Sequence, residues 1–491
     1  MTALYQFEEF KINKNFADIK KYLQTDAAFQ QLHEVEHFLF KMLLELGNSF
    51  LIQFLEKKSI ENRSSTITKD DQTIPLHSVK KRDYLSIFGD IEISRPYYWK
   101  PGSNGLFPMD AELNIPKHHH SYLLDKWIQH RVTEEPYEEA IKSICDLLDQ
   151  KVSKRLIQQV TTQASQNVEE YYRQKQDFPN EGSHLVVQVD CKGVRMVPKE
   201  RPETKLKEKF ERRAKGVSKI GTKKNAAVTT DYSINPSRRL PNDVLEGLMS
   251  INSNKKTKKA KNRKKKLLEA INKQVSGTML GLEKAFENLA DRLKTRDSSC
   301  EKPIFIIIDG AAPLEKGLIR EFEKRGWRSR IAVCCLDIVH ATEYLWDAST
   351  AMYGESNPKR VFWVREALKK TLNSDIELVI KDLEKVLKIK GQSKFVIKRL
   401  ERSIKYFKNH QHMMDYKKYL KIGSPIASGA IEGACNSLVK DRTERSGMQW
   451  TKKGAEAVIN LRSVQCNEDW ENYWNYYIQK QSEELYGSKA A

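Results

Sequence analysis

The 491-residue sequence predicts a mixed α/β fold, on three observations. From residue 184 onward, short β-branched apolar runs alternate with stretches of helical periodicity. One run, Ile304-Phe-Ile-Ile-Ile308, holds consecutive apolar residues, as a strand buried on both faces requires. Residues 1 to 60 and 341 to 420, by contrast, repeat apolar residues at helical spacing.

Taken in order, residues 1–77 form a helical N-terminal region. Phe29, Leu32, Val35, Phe38, Leu39, Met42, Leu43 and Leu46 supply its apolar spacing, which suits packing or self-association. Residues 62–77 are polar and read as a loop. Residues 78–130 form a small β module: a hairpin spans 84–99, with Gly89-Asp90 as its turn. His118, His119 and His120 are adjacent, so their side chains diverge; a polar loop is the reading, not a metal cluster. Residues 131–180 carry a helical pair, Glu134 to Leu148 and a helix capped by Ser153. Read as a helix-turn-helix, the pair presents Lys154, Arg155, Gln158 and Gln159 to a DNA groove, where Arg and Gln bond base edges. The alternative is an ordinary helical pair.

Residues 181–340 hold the first part of a sheet-based core. A strand runs from His184 to Asp190, Cys191-Lys192-Gly193 turns, and Val194 to Val197 returns as a second strand. Ala226 to Ile234 is a third. Residues 255–266 hold nine cations in twelve positions, a run suited to phosphate contact without sequence reading. Helical periodicity covers Leu267 to Leu293; a strand then closes on Asp309-Gly310. A helix from Leu314 to Arg325 and a strand from Arg330 to Ile338 follow. Residues 341–421 form an all-helical insertion. Residues 422–491 close the core: Ser424-Pro425 opens a helix rich in small residues, whose return is close packing. That helix carries Glu432, with Asn436 and Lys440 on the same face. Trp470, Tyr473, Trp474, Tyr476 and Tyr477 form a terminal aromatic stripe suited to a core or to docking.

Composition narrows the function class. A net charge of +20 favours a polyanionic partner, nucleic acid first. No run approaches 18 apolar residues and the N-terminus lacks a signal-peptide pattern, so neither membrane association nor export is expected. Seven cysteines without a Cys-x-x-Cys pair fit reduced thiols in the cytoplasm and no zinc site.

Two predicted central strands end in carboxylates, Asp190 and Asp309, and a late helix brings Glu432. Ligand sites in such sheets lie beyond the strand ends. Three acids in one place repel unless a cation offsets them, and hard oxygen donors suit Mg²⁺ or Mn²⁺. A pair of such ions supports phosphodiester chemistry. Taken singly, an Asp at a strand end is also a common turn or cap residue.

These residues sit in a pattern that resembles bacterial insertion-sequence transposases of the Asp-Asp-Glu class. The chain is most similar to the Kra-type insertion-sequence family, related to mutator-like transposases. The resemblance rests on Asp190-Cys-Lys-Gly-Val194, Ile308-Asp-Gly-Ala311 and Asp337-Ile-Val-His-Ala-Thr-Glu-Tyr-Leu-Trp346. It continues through Gly429-Ala-Ile-Glu-Gly-Ala-Cys435, Lys440-Asp-Arg442, Ser446-Gly-Met-Gln-Trp-Thr451 and Gly454-Ala-Glu-Ala457. It implies a ribonuclease H-like catalytic domain with a helical insertion, behind a DNA-binding N-terminal region. It makes Asp190, Asp309 and Glu432 the catalytic ligands of Mg²⁺ or Mn²⁺, in a two-ion site. It sets Asp337 and His340 near that site, with a strand-to-helix cap as their alternative. Lys440 and Arg442 are candidate phosphate contacts. Trp450 is a candidate for base stacking, against packing in the core. The chain departs from the family at Cys191, where the pattern has Gly, and in lacking a cysteine pair after Tyr97-Tyr98. The implied activity is cleavage at element ends, then transfer of the 3′-hydroxyl into target DNA by an oligomer, most simply a dimer. A structure-specific nuclease and a DNA-binding regulator without catalysis are the alternatives.

Overall fold

The computed structural model describes residues 3–69, 71–176, 178–201, 222–251 and 269–487. The basic run at 255–266 lies outside them. The fold is mixed α/β with two sheets among the described residues. It divides into two compact units, Met1–Ala164 with Asp469–Ala491, and Ser165–Glu468.

The first unit opens with two helices, α1 (Ala3–Gln24) and α2 (Leu32–Glu61). They are joined face to face, with the rings of Tyr22 and Phe38 stacked at 3.7 Å between centroids. An antiparallel meander follows, β1 (Thr66–Lys69), β2 (Gln72–Ser86) and β3 (Gly89–Tyr98). The expected loop at 62–77 is therefore largely strand. Its polar residues sit on a ladder open to water on one side, which apolar patterning does not reveal. The hairpin turn also lies earlier than expected. Ile87 and Phe88 form it, and Gly89, at φ 110°, opens β3 opposite Ser86. Ser86 Oγ accepts from the Phe88 amide at 3.0 Å and fixes that turn. Leu55 of α2 packs on Ile91 and Ile93 of β3, with Met109 and Ile115 completing the cluster.

Short α3 (Pro108–Glu112), α4 (Tyr122–Glu134), α5 (Tyr137–Leu148) and α6 (Lys154–Ser165) follow. The histidine run is a loop, as expected, but two of its rings turn inward. His120 is 3% exposed, 3.1 Å from Asp125, and His118 Nε2 lies 3.2 Å from the other Asp125 oxygen. Burial holds the His118 imidazole below its usual pKa. The C-terminal helix, Trp470–Tyr486, buries Trp470, Tyr473, Trp474 and Tyr477, so its aromatic stripe is core.

The second unit is built on a five-stranded sheet ordered β6-β5-β4-β7-β8. After α7 (Val168–Gln174) come β4 (His184–Arg195), β5 (Lys223–Ile234), α8 (Pro241–Ile251) and β6 (Ile271–Thr278). Then come α9 (Leu282–Arg296), β7 (Ile304–Ile308), α10 (Ala312–Lys324) and β8 (Ile331–Leu336). β4 pairs antiparallel with β5 and parallel with β7, and β7 pairs parallel with β8.

Two expectations fail here for one reason. Cys191-Lys192-Gly193 is not a turn: β4 runs straight through it, because β5 pairs with it as far as Arg195 opposite Lys223. Ile271 to Thr278 is not helix but the edge strand β6, because β5 offers it a ladder. In both places a neighbouring backbone, absent from local sequence, decided the structure.

The helical insertion comprises α11 (Ile338–Tyr353), α12 (Lys359–Leu372), α13 (Ile376–Leu387), α14 (Lys394–His410) and α15 (Tyr416–Lys421). Their apolar faces join the sheet in one continuous core. α16 (Gly429–Ala434), a π-helical turn (Cys435–Lys440), α17 (Asp441–Thr443) and α18 (Lys452–Cys466) complete the unit. The sheet is covered on both faces. On one, Arg292 and Arg296 of α9 bond the fully buried Asp231 of β5 at 2.9 and 2.7 Å. On the other, α16 and α18 lie over β4, β5 and β6, with Ile459 and Leu438 against Gly277.

Candidate active site

Asp190 and Asp309 sit on neighbouring parallel strands. Gln188 of β4 lies opposite Ile307 of β7, so two residues on, the register sets Asp190 beside Asp309 on one face. Asp190 lies within β4, not at its end as expected. Asp309 follows the last residue of β7.

The Asp309 turn is held tightly. Asp309 Oδ1 accepts the Ala311 amide at 2.8 Å. From α14, Tyr406 donates its hydroxyl to the Asp309 carbonyl at 3.1 Å, and His410 Nε2 sits 2.6 Å from the Gly310 carbonyl. Gly310 has φ +88°, and a Cβ there would meet Leu336 at 2.7 Å, so no other residue fits. Tyr406 and His410 escaped the sequence reading, since nothing local ties α14 to residue 309.

Glu432 arrives on α16. The expected helix start at Ser424-Pro425 is not observed. Ser424 to Ser428 is non-helical, pinned by the Ile338 amide on the Ile426 carbonyl at 2.9 Å and by the Arg239 guanidinium on Ser424. Gly423, at φ +81°, abuts the Ser237 amide and leaves no space for a side chain. Gln188 anchors α16: its Oε1 accepts from the Ile431 amide at 2.9 Å, and its Nε2 reaches Tyr232 and Ala427. A lone glutamine inside Leu-Val-Val-Gln-Val was a readable signal, because a fully buried amide demands partners.

Glu432 itself is exposed, not buried, with Gly429 and Gly433 beside it. A Cβ at either glycine would meet nothing within 4 Å, so these glycines do not serve close packing against the protein. They leave an open backbone surface around the carboxylate. The π turn that follows changes the helical phase, so Asn436 and Lys440 are out of the i, i+4, i+8 alignment with Glu432 that a continuous α-helix gives.

Cys435, one turn beyond Glu432, places its Sγ 3.5 Å from Asp190 Oδ2. Burial, and then the Asp190 charge, push the Cys435 thiol far above its usual range. Cys191 is pushed up to about 11, by burial first and then by Asp190 and Asp309. Both thiols therefore stay protonated beside the carboxylates at neutral pH. Among the described residues, no basic side chain pairs with Asp190, Asp309 or Glu432 within 4.0 Å. Nor, among them, do three His, Cys, Asp or Glu side chains already stand close enough to hold an ion. The pair Asp190–Asp309 presents hard oxygen donors of the kind that suit a divalent cation; Glu432, exposed on the adjacent α16, does not already close a three-acid group with them.

Asp337 is a junction residue. At 1% exposure, it caps α11 by accepting the Val339 amide at 3.0 Å, and it holds the Ser428 amide at 3.2 Å and the Ser428 hydroxyl at 2.5 Å. It ties β8 to the segment that enters α16. His340 faces outward, 41% exposed, with Glu343 at 3.3 Å. Lys440 is exposed. Arg442 and Trp450 are not surface contacts. Arg442 is fully buried, 4.8 Å above the Trp450 ring, and Trp450 is 5% exposed with its Nε1 on the Thr443 carbonyl. The expected phosphate and base contacts from these two give way to packing in this structure. In the other unit, Arg155, Gln158 and Gln159 are exposed on α6, and Lys154 pairs with Glu138.

No protein-family profile matches the chain. It is similar to a Streptococcus gallolyticus protein named UPF0236 protein in vanSb 3′ region, 26% identical over 189 residues. The matched stretch is 38% of this chain and 39% of that protein, so the similarity spans well under half of either.

Proposed function

We propose that the chain is a DNA transposase of the Asp-Asp-Glu class, with a ribonuclease H-like catalytic unit. The observation that carries the reading is the side-by-side placement of Asp190 and Asp309 on two parallel strands, with Glu432 on the helix anchored to β4. The helical insertion between β8 and α16 agrees with what the family resemblance implies. The net charge of +20 supports a DNA substrate.

Asp190, Asp309 and Glu432 would hold Mg²⁺ or Mn²⁺. Bound there, two such ions supply activation of water or a 3′-hydroxyl and stabilisation of the leaving oxygen. The chain's own residues prepare the place. Tyr406 and His410 fix the Asp309 turn, Gln188 and Asp337 fix the entry to α16, and the bare glycines beside Glu432 let a DNA backbone approach closely. Exposed Lys440 is available to phosphate, as are Arg155, Gln158 and Gln159 on α6. The protein would act in the cytoplasm on element ends and target DNA.

The test is cleavage of the element's own terminal DNA with Mg²⁺, wild type against Asp309→Ala. The variant should lose cutting by about 10²-fold or more while keeping DNA binding and its circular dichroism. Equal cutting by both proteins removes Asp309 from the mechanism. Joining of the cut 3′ end to a target duplex separates a transposase from a nuclease.

A further inference from the structure

The helical insertion, residues 341–421, holds eighteen Lys and Arg against ten Asp and Glu, a net of +8. Within it, α14 carries six cations and one acid. One face of α14 is core, where Leu400, Ser403, Ile404 and Phe407 are buried. A second face meets the candidate site, where Tyr406 and His410 reach the Asp309 and Gly310 carbonyls. A third face is open. Lys394, Lys398, Arg402 and Lys405 stand exposed on it, at i, i+4, i+8 and i+11. The other two cations of α14 are paired, Arg399 with Asp347 at 2.5 Å and Lys408 with Glu384 at 2.6 Å. Among the described residues, no acid lies within 4.0 Å of the four on the open face. Like charges four residues apart repel along a helix, so the fold gains nothing from this row. The row starts beside the acids. Arg402 lies 5.2 Å over the Tyr344 ring, which stacks at 3.6 Å on Tyr406, the residue that holds the Asp309 turn. From there it runs along α14 to Lys394.

We infer that this row is a track for the DNA strand that is cut, seating the phosphates next to the reacting one. The inference deepens the transposase reading and rests on it for the identity of the strand. Length and charge select the occupant. Eleven residues of helix span about 16 Å. Each strand of duplex DNA has one phosphate per about 3.4 Å of axis, so the row faces about five of them. Such contacts fix the register of the strand against Asp309 and leave sequence reading to other surfaces. A lipid surface is also anionic, but a helix that lies on it turns its apolar face outward. α14 buries its apolar face in the core, and Phe395 is its one large apolar side chain left exposed.

Fluorescence anisotropy of the full chain with a labelled duplex of the element's end, over a salt series, tests this. Lys398→Ala, Arg402→Ala and Lys405→Ala together should lower the slope of log Kd against log salt by about 2.7. Lys273→Ala, Lys294→Ala and Arg328→Ala remove as many exposed cations elsewhere in the same unit and should leave the slope unchanged. Alanine favours helix and the row repels itself, so the urea midpoint of the first variant should match or exceed wild type. Lys398→Gln with Arg402→Gln should lower the slope by about 1.8 and covers the case in which the triple variant misfolds. With neutral methylphosphonates at the linkages flanking the cut, wild type and the row variant should share one slope. A difference that persists there puts the row elsewhere on the DNA and overturns the track. An unchanged slope in the folded row variant overturns it too, as does an equal fall in both triple variants, the mark of bulk charge. Flotation of wild type with phosphatidylcholine–phosphatidylglycerol vesicles, lost in the row variant while the DNA slope holds, overturns it in favour of a lipid surface. Cleavage is scored separately. A slope that falls in a protein that never cuts keeps the row as a DNA surface and discards the catalytic reading; Asp309-dependent cutting with an unchanged slope discards the track alone.

Discussion

The residues that matter most around the sheet are polar groups given specific partners by burial. Glu456 is an example from the Gly454-Ala-Glu-Ala457 stretch, which the family resemblance brought forward without a role. Its carboxylate caps the end of β6, accepting from the Thr278 hydroxyl at 2.8 Å and from the Met279 amide. Burial, the largest influence, raises its pKa above the usual carboxylate value of 4.5. A carboxyl raised in the fold stabilises below its unfolded pKa and loses that contribution as pH rises through the folded value. Wild type should therefore lose stability relative to Glu456→Gln as pH rises above about 4.5, the ordinary carboxylate value. Urea midpoints of both proteins across that range check it; parallel curves would mean that the carboxyl titrates as if unburied. Trp450 and Arg442 teach the complementary lesson. The residue types suited nucleic acid, but the ring and the guanidinium cover each other in the core.

At the scale of elements, the position of Glu432 depends on a latch rather than on helix propensity. The segment before α16 is tied to β8 and α11 through Asp337 and Ser428, and α16 is tied to β4 through Gln188. Asp337→Asn keeps the shape but weakens charge-assisted bonds to a buried hydroxyl and two amides. It should cost about 1.5–3 kcal/mol in urea unfolding. It should also lower cleavage more than DNA binding, because Glu432 loses its fixed approach. An unchanged urea midpoint would show that the latch is redundant. Elements whose apolar pattern matched their burial were legible: β7, α10, β8 and the insertion helices. Those set by a neighbour were not. β4 through residue 193 and β6 exist because β5 lies between them, and β1 because β2 extends to meet it.

For the whole molecule, charge divides the chain. The surplus of cations lies outside residues 1–61. DNA binding should weaken steeply with salt, log Kd rising against log salt with a slope of several units. Replacing Arg155 with Ala should lower that slope by about one if α6 touches phosphate. A salt-insensitive affinity would point away from backbone contact altogether.

The sequence alone determined the mixed α/β class, the strands β5, β7 and β8 with the first part of β4, the helical insertion, and the three acids worth following. Those follow from hydrophobic periodicity and residue chemistry, which are local properties. Only the tertiary structure decided which of the flagged residues share a face. It set Asp190 beside Asp309 through strand register, opened Glu432 to solvent, and withdrew Arg442 and Trp450 into the core. Register, burial and the partner of a polar group arise from contacts between segments far apart in the chain, so no local pattern carries them.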